Sequence, residues 1–494
     1  MSVHVPRWVK DAVFYQVFPD RFAKSDSVPK PSNIQPWGDP PTGRHYQGGD
    51  LIGLVERLDY LTDLGINALY LNPIFTSATN HRYHTHDYYQ VDPLLGGDDA
   101  LRRLIEESHR RGVRVILDGV FNHASRGFFQ FSDILENGDA SPWLEWFKVT
   151  GWPLSPYNHD KPANYESWWD MRQLPKFNTD NPEVQGFFFG VAEYWIDVFQ
   201  VDGWRLDVPE DINAAGFWEK FRRRVKRVNS EAYLVGEIWH QAPDWLMGDK
   251  FDAVMNYPLA EAILAFLAGD RIPMGLPDAM EFRPFPRITA QEFGGRLRHL
   301  LALYDWEVTQ VQLNILDSHD MPRLRSLVRD DIAAVKLALL LQMTLPGAPC
   351  IYYGDEIGIR GTENVDLPFS DTDARWAFPW HDRSLWDEKL LADYKAAVSL
   401  RNRYPQLRRG QFSEVYAGGY CYAFSRSIGK DALIVGLNAG ESSAEIELNV
   451  GITSGAGSTP SVVFGPPDAI RSFSDERLIV EIPARTGVVL APSD

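Results

Sequence analysis

Cysteine is nearly missing from this 494-residue chain, which holds only Cys350 and Cys421. A disulfide framework or a Cys-rich metal site is therefore excluded, and at most one bridge can form. Basic charge is in deficit: 49 Lys and Arg stand against 67 Asp and Glu, a formal net of −18. A field of that sign repels phosphate backbones and anionic lipid, so neither nucleic acid nor a membrane is expected as a partner. Long apolar runs are absent too, and none approaches the roughly 18 residues that span a bilayer. The stretch Met1–Phe18 is broken by Arg7, Lys10 and Asp11, unlike a secretory signal, so a cytoplasmic protein is expected. What is present is an ordinary globular balance, 44% hydrophobic and 23% charged, which argues against general disorder. The unusual abundance is aromatic: 16 Trp, 20 Tyr and 27 Phe. Core packing absorbs most such residues by default. Aromatic faces also grip flat apolar ligand surfaces, so their positions matter.

Short β-branched or aromatic runs alternate with longer amphipathic ones. Strands are expected within Ala12–Phe18, Ile66–Asn72, Val113–Val120, Val201–Val208, Ala232–Ile238, Ala253–Tyr257, Gln312–Asp317 and Pro349–Tyr353. Helices are expected within Leu51–Leu64, Asp99–Arg111, Pro182–Phe199, Ala214–Val228 and Asp331–Met343. That order is the signature of parallel βαβ units, which eight strands close naturally into a (β/α)8 TIM barrel. An open doubly wound sheet is the alternative on pattern alone. An irregular stretch rich in Trp, Pro and Asn follows the third strand, where function-bearing loops accumulate at a barrel mouth. From about Arg403 strands alternate without helices, as in an antiparallel β-sandwich domain, with a short Gly/Ser linker at Ser454–Ser458. The expected division is a barrel over 1–122 and 178–402, an inserted domain over 123–177 and a C-terminal β domain over 403–494.

Acidic residues sit where the candidate strands end. The third ends in Asp118-Gly-Val-Phe-Asn122-His123, the fourth in Arg205-Leu-Asp207, the fifth in Glu237-Ile-Trp239 and the seventh in Asp317-Ser-His319-Asp320. Side chains alternate along a strand, so Arg205 shares a face with Asp207, and Glu237 with Trp239. A lone Asp at a strand end is usually a cap or turn residue. Acids on four strand ends of one rim, with Arg and His among them, instead point to a built polar pocket. Glycoside hydrolysis needs such a set, with one ionised carboxylate and one carboxylic acid flanking the scissile bond. Arg205 is expected to hold Asp207 ionised as a nucleophile, and Glu237, beside Trp239, to have the raised pKa of a general acid.

These segments resemble, in order and spacing, the four signature regions of the α-amylase family of glycoside hydrolases (family 13). The run Gly236-Glu-Ile-Trp-His240, the stretch Phe251–Pro258 and Leu174-Pro-Lys-Phe-Asn178 are more specifically similar to the neopullulanase, cyclomaltodextrinase and maltogenic amylase branch. The resemblance implies a retaining hydrolase with Asp207 as nucleophile, Glu237 as general acid/base and Asp320 as a third carboxylate favouring a distorted sugar. It implies sugar contacts from Tyr83, Asp118, His123, Arg205 and His319, and from the pair Asp371 and Arg375; Trp239 joins them from its place beside Glu237. Hydrolysis of α-1,4-glucosidic bonds in maltooligosaccharides, cyclodextrins or pullulan is expected, with α-1,6 cleavage and sugar transfer open. An exo-acting α-glucosidase, or a transferase or isomerase of small glucosides, is the alternative. A non-catalytic relative is disfavoured because all three carboxylates are present.

Three departures from the branch carry expectations. The first strand begins by Ala12, so the branch's N-terminal β domain, and dimerisation through it, are not expected. The loop Lys24–Lys30 holds one carboxylate and two lysines, a poor set for a hard cation, so no metal and no cofactor are expected. After the nucleophile position stands Val208-Pro-Glu210-Asp211, where the branch more often has Asn then Glu, so the balance of hydrolysis and transfer is expected to differ.

Overall fold

A computed structural model describes residues 3–158, 163–269, 286–361, 371–449, 460–474 and 477–492. The Gly/Ser stretch Ser454–Ser458 lies outside them. Eight strands form one parallel sheet, seven inside the expected runs and the last starting one residue early: β1 (Phe14–Val17), β2 (Ala68–Leu71), β3 (Arg114–Gly119), β4 (Gly203–Leu206), β5 (Tyr233–Gly236), β6 (Ala253–Val254), β7 (Leu313–Asn314) and β8 (Ala348–Tyr352). Their order is β6-β5-β4-β3-β2-β1-β8-β7, and a parallel bridge from Met255 to Leu313 joins the two ends. That bridge decides between the two expected architectures: the sheet closes into a (β/α)8 barrel. Helices cover the outside and side chains fill the inside, so all strand residues except Arg114 are buried. This double burial is why the strands read as apolar runs rather than as alternation.

Five helical patterns produce helices near their expected bounds, with one break. Leu51–Leu64 is two helices, α1 (Leu51–Val55) and α2 (Leu58–Leu64), because Arg57 leaves helical geometry at φ −108° and ψ 2°. The others are α3 (Gly97–Arg110), α4 (Pro182–Val198), α5 (Phe217–Val228) and, later, α8 (Ile332–Thr344). Asn181 caps α4 by accepting from the Glu183 amide at 2.9 Å, with Pro182 at the first helical position. Between α5 and α8 lie α6 (Tyr257–Ala268) and α7 (Ala290–Ala302), and α9 (Glu388–Arg403) follows β8; the alternation implied helices here, but no bounds were read for them. Helix α6 is buried nearly all round, which erases the periodicity that marks a surface helix.

Between β3 and α4 the chain makes its long excursion, with a helix at Phe129–Asn137 and short antiparallel bridges at Phe147–Phe177 and Val149–Tyr165. Its aromatics divide. Phe128, Phe131, Trp146, Phe147, Tyr165 and Phe177 pack together as a core, whereas Trp152, Tyr157 and Trp169 are exposed. After α9 come β9 (Gln411–Gly418), β10 (Cys421–Ile428), β11 (Asp431–Asn438), β12 (Ala444–Asn449), β13 (Pro460–Phe464), β14 (Ile470–Ser474), β15 (Arg477–Ile482) and β16 (Thr486–Pro492). They form two antiparallel sheets, β9-β10-β11-β16-β13 and β12-β15-β14, sandwiching Ile434, Ile446, Leu448, Leu478, Val480 and Leu490. Two buried arginines donate to carbonyls at the C-terminus of α8: Arg426, on β10, reaches Thr344 and joins sandwich to barrel, and Arg401, on α9, reaches Met343. Cations there also complement the helix dipole.

Candidate active site

The C-terminal ends of β3, β4 and β5 meet around one buried guanidinium. Arg205, on β4, donates from Nη1 to Asp118 Oδ1 at 2.9 Å and to Asp207 Oδ1 at 2.7 Å. Its Nη2 lies 2.8 Å from Glu237 Oε2. One cation thus brackets three carboxylates, an arrangement that register alone imposes: Asp118 pairs with Arg205 across β3 and β4, and Arg205 with Val235 across β4 and β5. The backbone contributes as well. Val208 is a β-branched residue held at φ 34°, an uncommon conformation, and its amide donates to Glu237 Oε2 at 3.1 Å. Trp239 donates from Nε1 to Glu237 Oε1 at 3.3 Å and stacks on Tyr257 with ring centroids 3.9 Å apart.

A second cluster hangs from β7 and β8. Asp320 accepts from Arg375 Nη2 at 2.8 Å and lies 2.8 Å from His319 Nε2. Arg375 also donates from Nε to the His319 carbonyl at 3.0 Å, which locks the two neighbours together. The Gln16 side-chain amide lies 2.9 Å from His319 Nδ1 and so holds the ring with Nε2 turned toward Asp320. Tyr83 stacks parallel to His319 at 5.4 Å and donates to Asp118 Oδ2 at 2.9 Å, tying the two clusters into one network. Tyr70 donates to the same Asp118 oxygen at 2.8 Å, and Asn72 donates to Tyr83 Oη at 3.0 Å.

His123 completes the pocket wall. Its ring is buried against Trp168, 4.9 Å away and 16° from parallel, and its Nε2 is a buried polar atom without a hydrogen-bond partner. Such an atom is costly unless something polar meets it, which marks where a ligand hydroxyl fits. Burial drives this histidine down to about 3, so it is neutral at physiological pH. Ten of the eleven residues singled out by sequence therefore share one continuous network or its wall; the side chain of Asp371 lies outside the described residues. Sequence reasoning missed Gln16, Tyr70 and Asn72, which orient the others. Their signal was a polar side chain on or just after an otherwise apolar strand. Glu210, noted in the sequence only as a departure after the nucleophile position, has its Oε1 2.9 Å from His240 Nε2 and links the loops after β4 and β5.

The electrostatics refine one expectation. Burial pushes the Asp207 carboxyl well up, outweighing the pull of Arg205, and the charge of Glu237 adds to the rise. Burial raises Glu237 as well. The two acids titrate as a unit that keeps a proton to higher pH than isolated carboxyls would, rather than Arg205 alone fixing Asp207 as ionised. Asp320 behaves oppositely: burial works against its charge, yet His319 and Arg375 prevail and hold it well below the usual carboxylate range.

Comparison with known proteins now decides the family. Residues 16–385 match the family model described as alpha amylase, catalytic domain. The chain belongs to the α-amylase family. It is a glycoside hydrolase, and its similarities follow the branch that its motifs indicated. It is 40% identical over 448 residues to a cyclomaltodextrinase of Geobacillus thermopakistaniensis, covering 90% of this chain and 71% of that one. Neopullulanase 2 of Thermoactinomyces vulgaris is 40% identical over 438 residues, covering 88% and 70%. Among solved structures, a debranching enzyme from Nostoc punctiforme superposes with a TM-score of 0.90 at 46% identity, over 99% of this chain and all of that one.

Calcium sites occur in some members of this branch, near the first strand. The residues here do not fit one. The Lys30 ammonium lies 3.1 Å from Asp50 Oδ2 and also donates to the Leu94 carbonyl, so the protein supplies its own cation. Asp50 is further engaged by Ser25 and by the Gly53 amide at the start of α1. Among the described residues, no group of three or more His, Cys, Asp or Glu side chains is placed to hold a metal.

Proposed function

We propose that this enzyme cleaves α-1,4-glucosidic bonds in maltooligosaccharides, cyclodextrins or pullulan with retention of configuration. The observation that carries the reading is the single guanidinium of Arg205 touching Asp207 at 2.7 Å and Glu237 at 2.8 Å, so two acids of one unit face one pocket. Asp207 attacks the anomeric carbon and forms a glycosyl ester while Glu237 gives its proton to the departing oxygen. Water then enters. Glu237 takes a proton from it, the hydroxide displaces Asp207, and both acids return to their starting states.

The partition of roles follows from surroundings. Glu237 contacts the indole of Trp239 and the strained Val208 amide, donors that steady the carboxylate formed once its proton has left. Asp320, held ionised, accepts from hydroxyls of the sugar in the pocket, and His123 Nε2 meets another. Arg375 and His319 keep Asp320 in place, while Asp118, fixed by Tyr70, Tyr83 and Arg205, acts as a positioning residue. The likeness to a debranching enzyme supports α-1,6 cleavage as a further activity. The proposed division is a barrel of 1–122 and 178–402, an insertion of 123–177 over its mouth and a β domain of 403–494.

Product analysis on maltotriose, β-cyclodextrin, pullulan and an aryl α-glucoside, with the anomer first released read by proton NMR, tests this. Formation of the α-anomer from the first three substrates is expected. Initial release of the β-anomer would overturn the retaining mechanism, and cleavage of the aryl glucoside alone would favour an exo-acting α-glucosidase.

A further inference from the structure

Trp169 is the outer member of a ring stack in the inserted segment. It is 66% exposed, whereas Trp146 and Tyr165 of the same segment are packed away. It sits at φ 49° and ψ 36°, and the next residue, Asp170, at φ 57°. Two successive non-glycine residues in the left-handed region oppose the usual preference of L-amino acids, at a cost in stability. No burial of Trp169 offsets that cost.

The indole is not loose. One face lies on Trp168, with centroids 4.6 Å apart and planes 17° from parallel. Trp168 is itself fixed on both sides of the pocket. It stacks on His123 at 4.9 Å and donates from Nε1 to Asp211 Oδ2 at 2.8 Å, on the turn that follows Asp207. Three near-parallel rings thus step outward from the pocket wall: His123, whose Nε2 awaits a hydroxyl, then Trp168, then Trp169. With one face covered by Trp168 and most of its surface still accessible, Trp169 presents its other face to solvent beside the pocket rim.

We propose that Trp169 is a sugar-stacking platform for a glucan, binding a pyranose ring beyond the two that flank the cleaved bond. The apolar face of a sugar ring matches an indole face, and the left-handed backbone at Trp169 and Asp170 turns the indole outward instead of into the core of the insertion. The ring stack makes the platform continuous with the pocket, so one oligosaccharide reaches both. This rests on the reading of the enzyme as an α-glucan hydrolase, and it adds that chain length is sensed on the inserted segment.

The test compares kcat/KM for maltoheptaose with that for maltotriose in the parent enzyme and in W169G, W169A and W169Y. Glycine accepts the left-handed backbone better than any other residue, so W169G removes the platform while relieving the local strain. The ratio of long to short substrate is expected to fall about tenfold in W169G and W169A, mainly through KM, and to stay within about twofold in W169Y. An unchanged ratio in W169G, with the parent active on both substrates, overturns the platform alone. A W169Y ratio as low as that of W169G also overturns it, because an aromatic face would then not be what matters. If the parent cleaves neither oligosaccharide, the glucan reading falls and the platform falls with it.

Discussion

In the turn after β8, Glu356 is a buried acid that the chemistry does not use, and it offers a measurable test of how burial sets ionisation here. Its carboxylate accepts from Tyr15 Oη at 2.8 Å, Tyr60 Oη at 2.6 Å and the Gly354 amide at 2.9 Å, and none of these three donors is a cation. Burial raises the group from 4.5 to about 7, against the hydrogen bonds from Tyr60 and Tyr15, which favour the charged form. An acid raised on folding binds more protons folded than unfolded between those two values. It therefore costs nothing below about pH 4.5, costs progressively more as pH rises, and reaches its full penalty above about pH 7. Each pKa unit is worth about 1.36 kcal/mol, so the full penalty is on the order of 3 kcal/mol. In E356Q that penalty is gone at every pH, but the new amide NH2 faces the Gly354 N–H, a lost hydrogen bond of about 1 kcal/mol. The variant is thus expected to be less stable than the parent by about 1 kcal/mol near pH 4.5 and more stable by about 2 kcal/mol near pH 8. With an unfolding entropy of about 2.1 cal/mol/K per residue, 1 kcal/mol moves Tm by about 1 °C in a chain this long. Scanning calorimetry of both proteins from pH 4.5 to 8 should show the variant's Tm climbing by about 3 °C relative to the parent. A difference that stays flat, or falls with rising pH, would refute the assignment of a raised acid at this position.

Turnover of E237Q should fall by roughly two to four orders of magnitude on maltooligosaccharides, the usual contribution of a general acid. It should fall less on aryl glucosides, whose leaving groups need little protonation; equal losses on both would contradict the acid role. D207N should lose activity alike on both substrate types, measured by initial rates, because no leaving group substitutes for a nucleophile. Lys30 replaced by alanine leaves Asp50 with only neutral donors in a buried site, and a destabilisation of about 1–3 kcal/mol is expected from thermal melts. Adding EDTA to the parent should leave Tm unchanged, and a clear drop would mean that a metal, not Lys30, balances this region.

Most of the barrel was legible because its strands are buried on both faces, so each stands out as a short apolar run between polar helical patterns. Closure was expected from the count of eight βα units, with an open sheet as the alternative, and the bridge between Met255 and Leu313, which nothing in either segment announces, decides between them. Helix α6 was hidden for the opposite reason: apart from Glu261, Tyr257–Ala268 is apolar nearly all round, and periodicity needs a wet face to be seen. The insertion misled in a third way, since its tryptophans read as one cluster over the mouth. Trp146 is core, Trp168 is a wall and Trp169 is open to solvent, distinctions set by backbone dihedrals that composition does not encode.

The site shows the same division between chemistry and support. Residues that need unusual groups at strand ends, such as Asp207, Glu237 and Asp320, declare themselves because charge on a barrel rim is costly without a purpose. Residues that orient them are ordinary. Gln16 on β1 is a polar residue in a buried strand, yet its amide holds Nδ1 of His319, and so sets how His319 meets Asp320. Asn72, just past β2, similarly places the Tyr83 hydroxyl that joins Asp118 to His319. Neither residue can act on a sugar directly, and each sets the geometry of one that does. Polar residues on the inward face of a barrel strand therefore deserve the scrutiny usually reserved for acids, because in a packed core a hydrogen-bonding group persists only where a neighbour requires it.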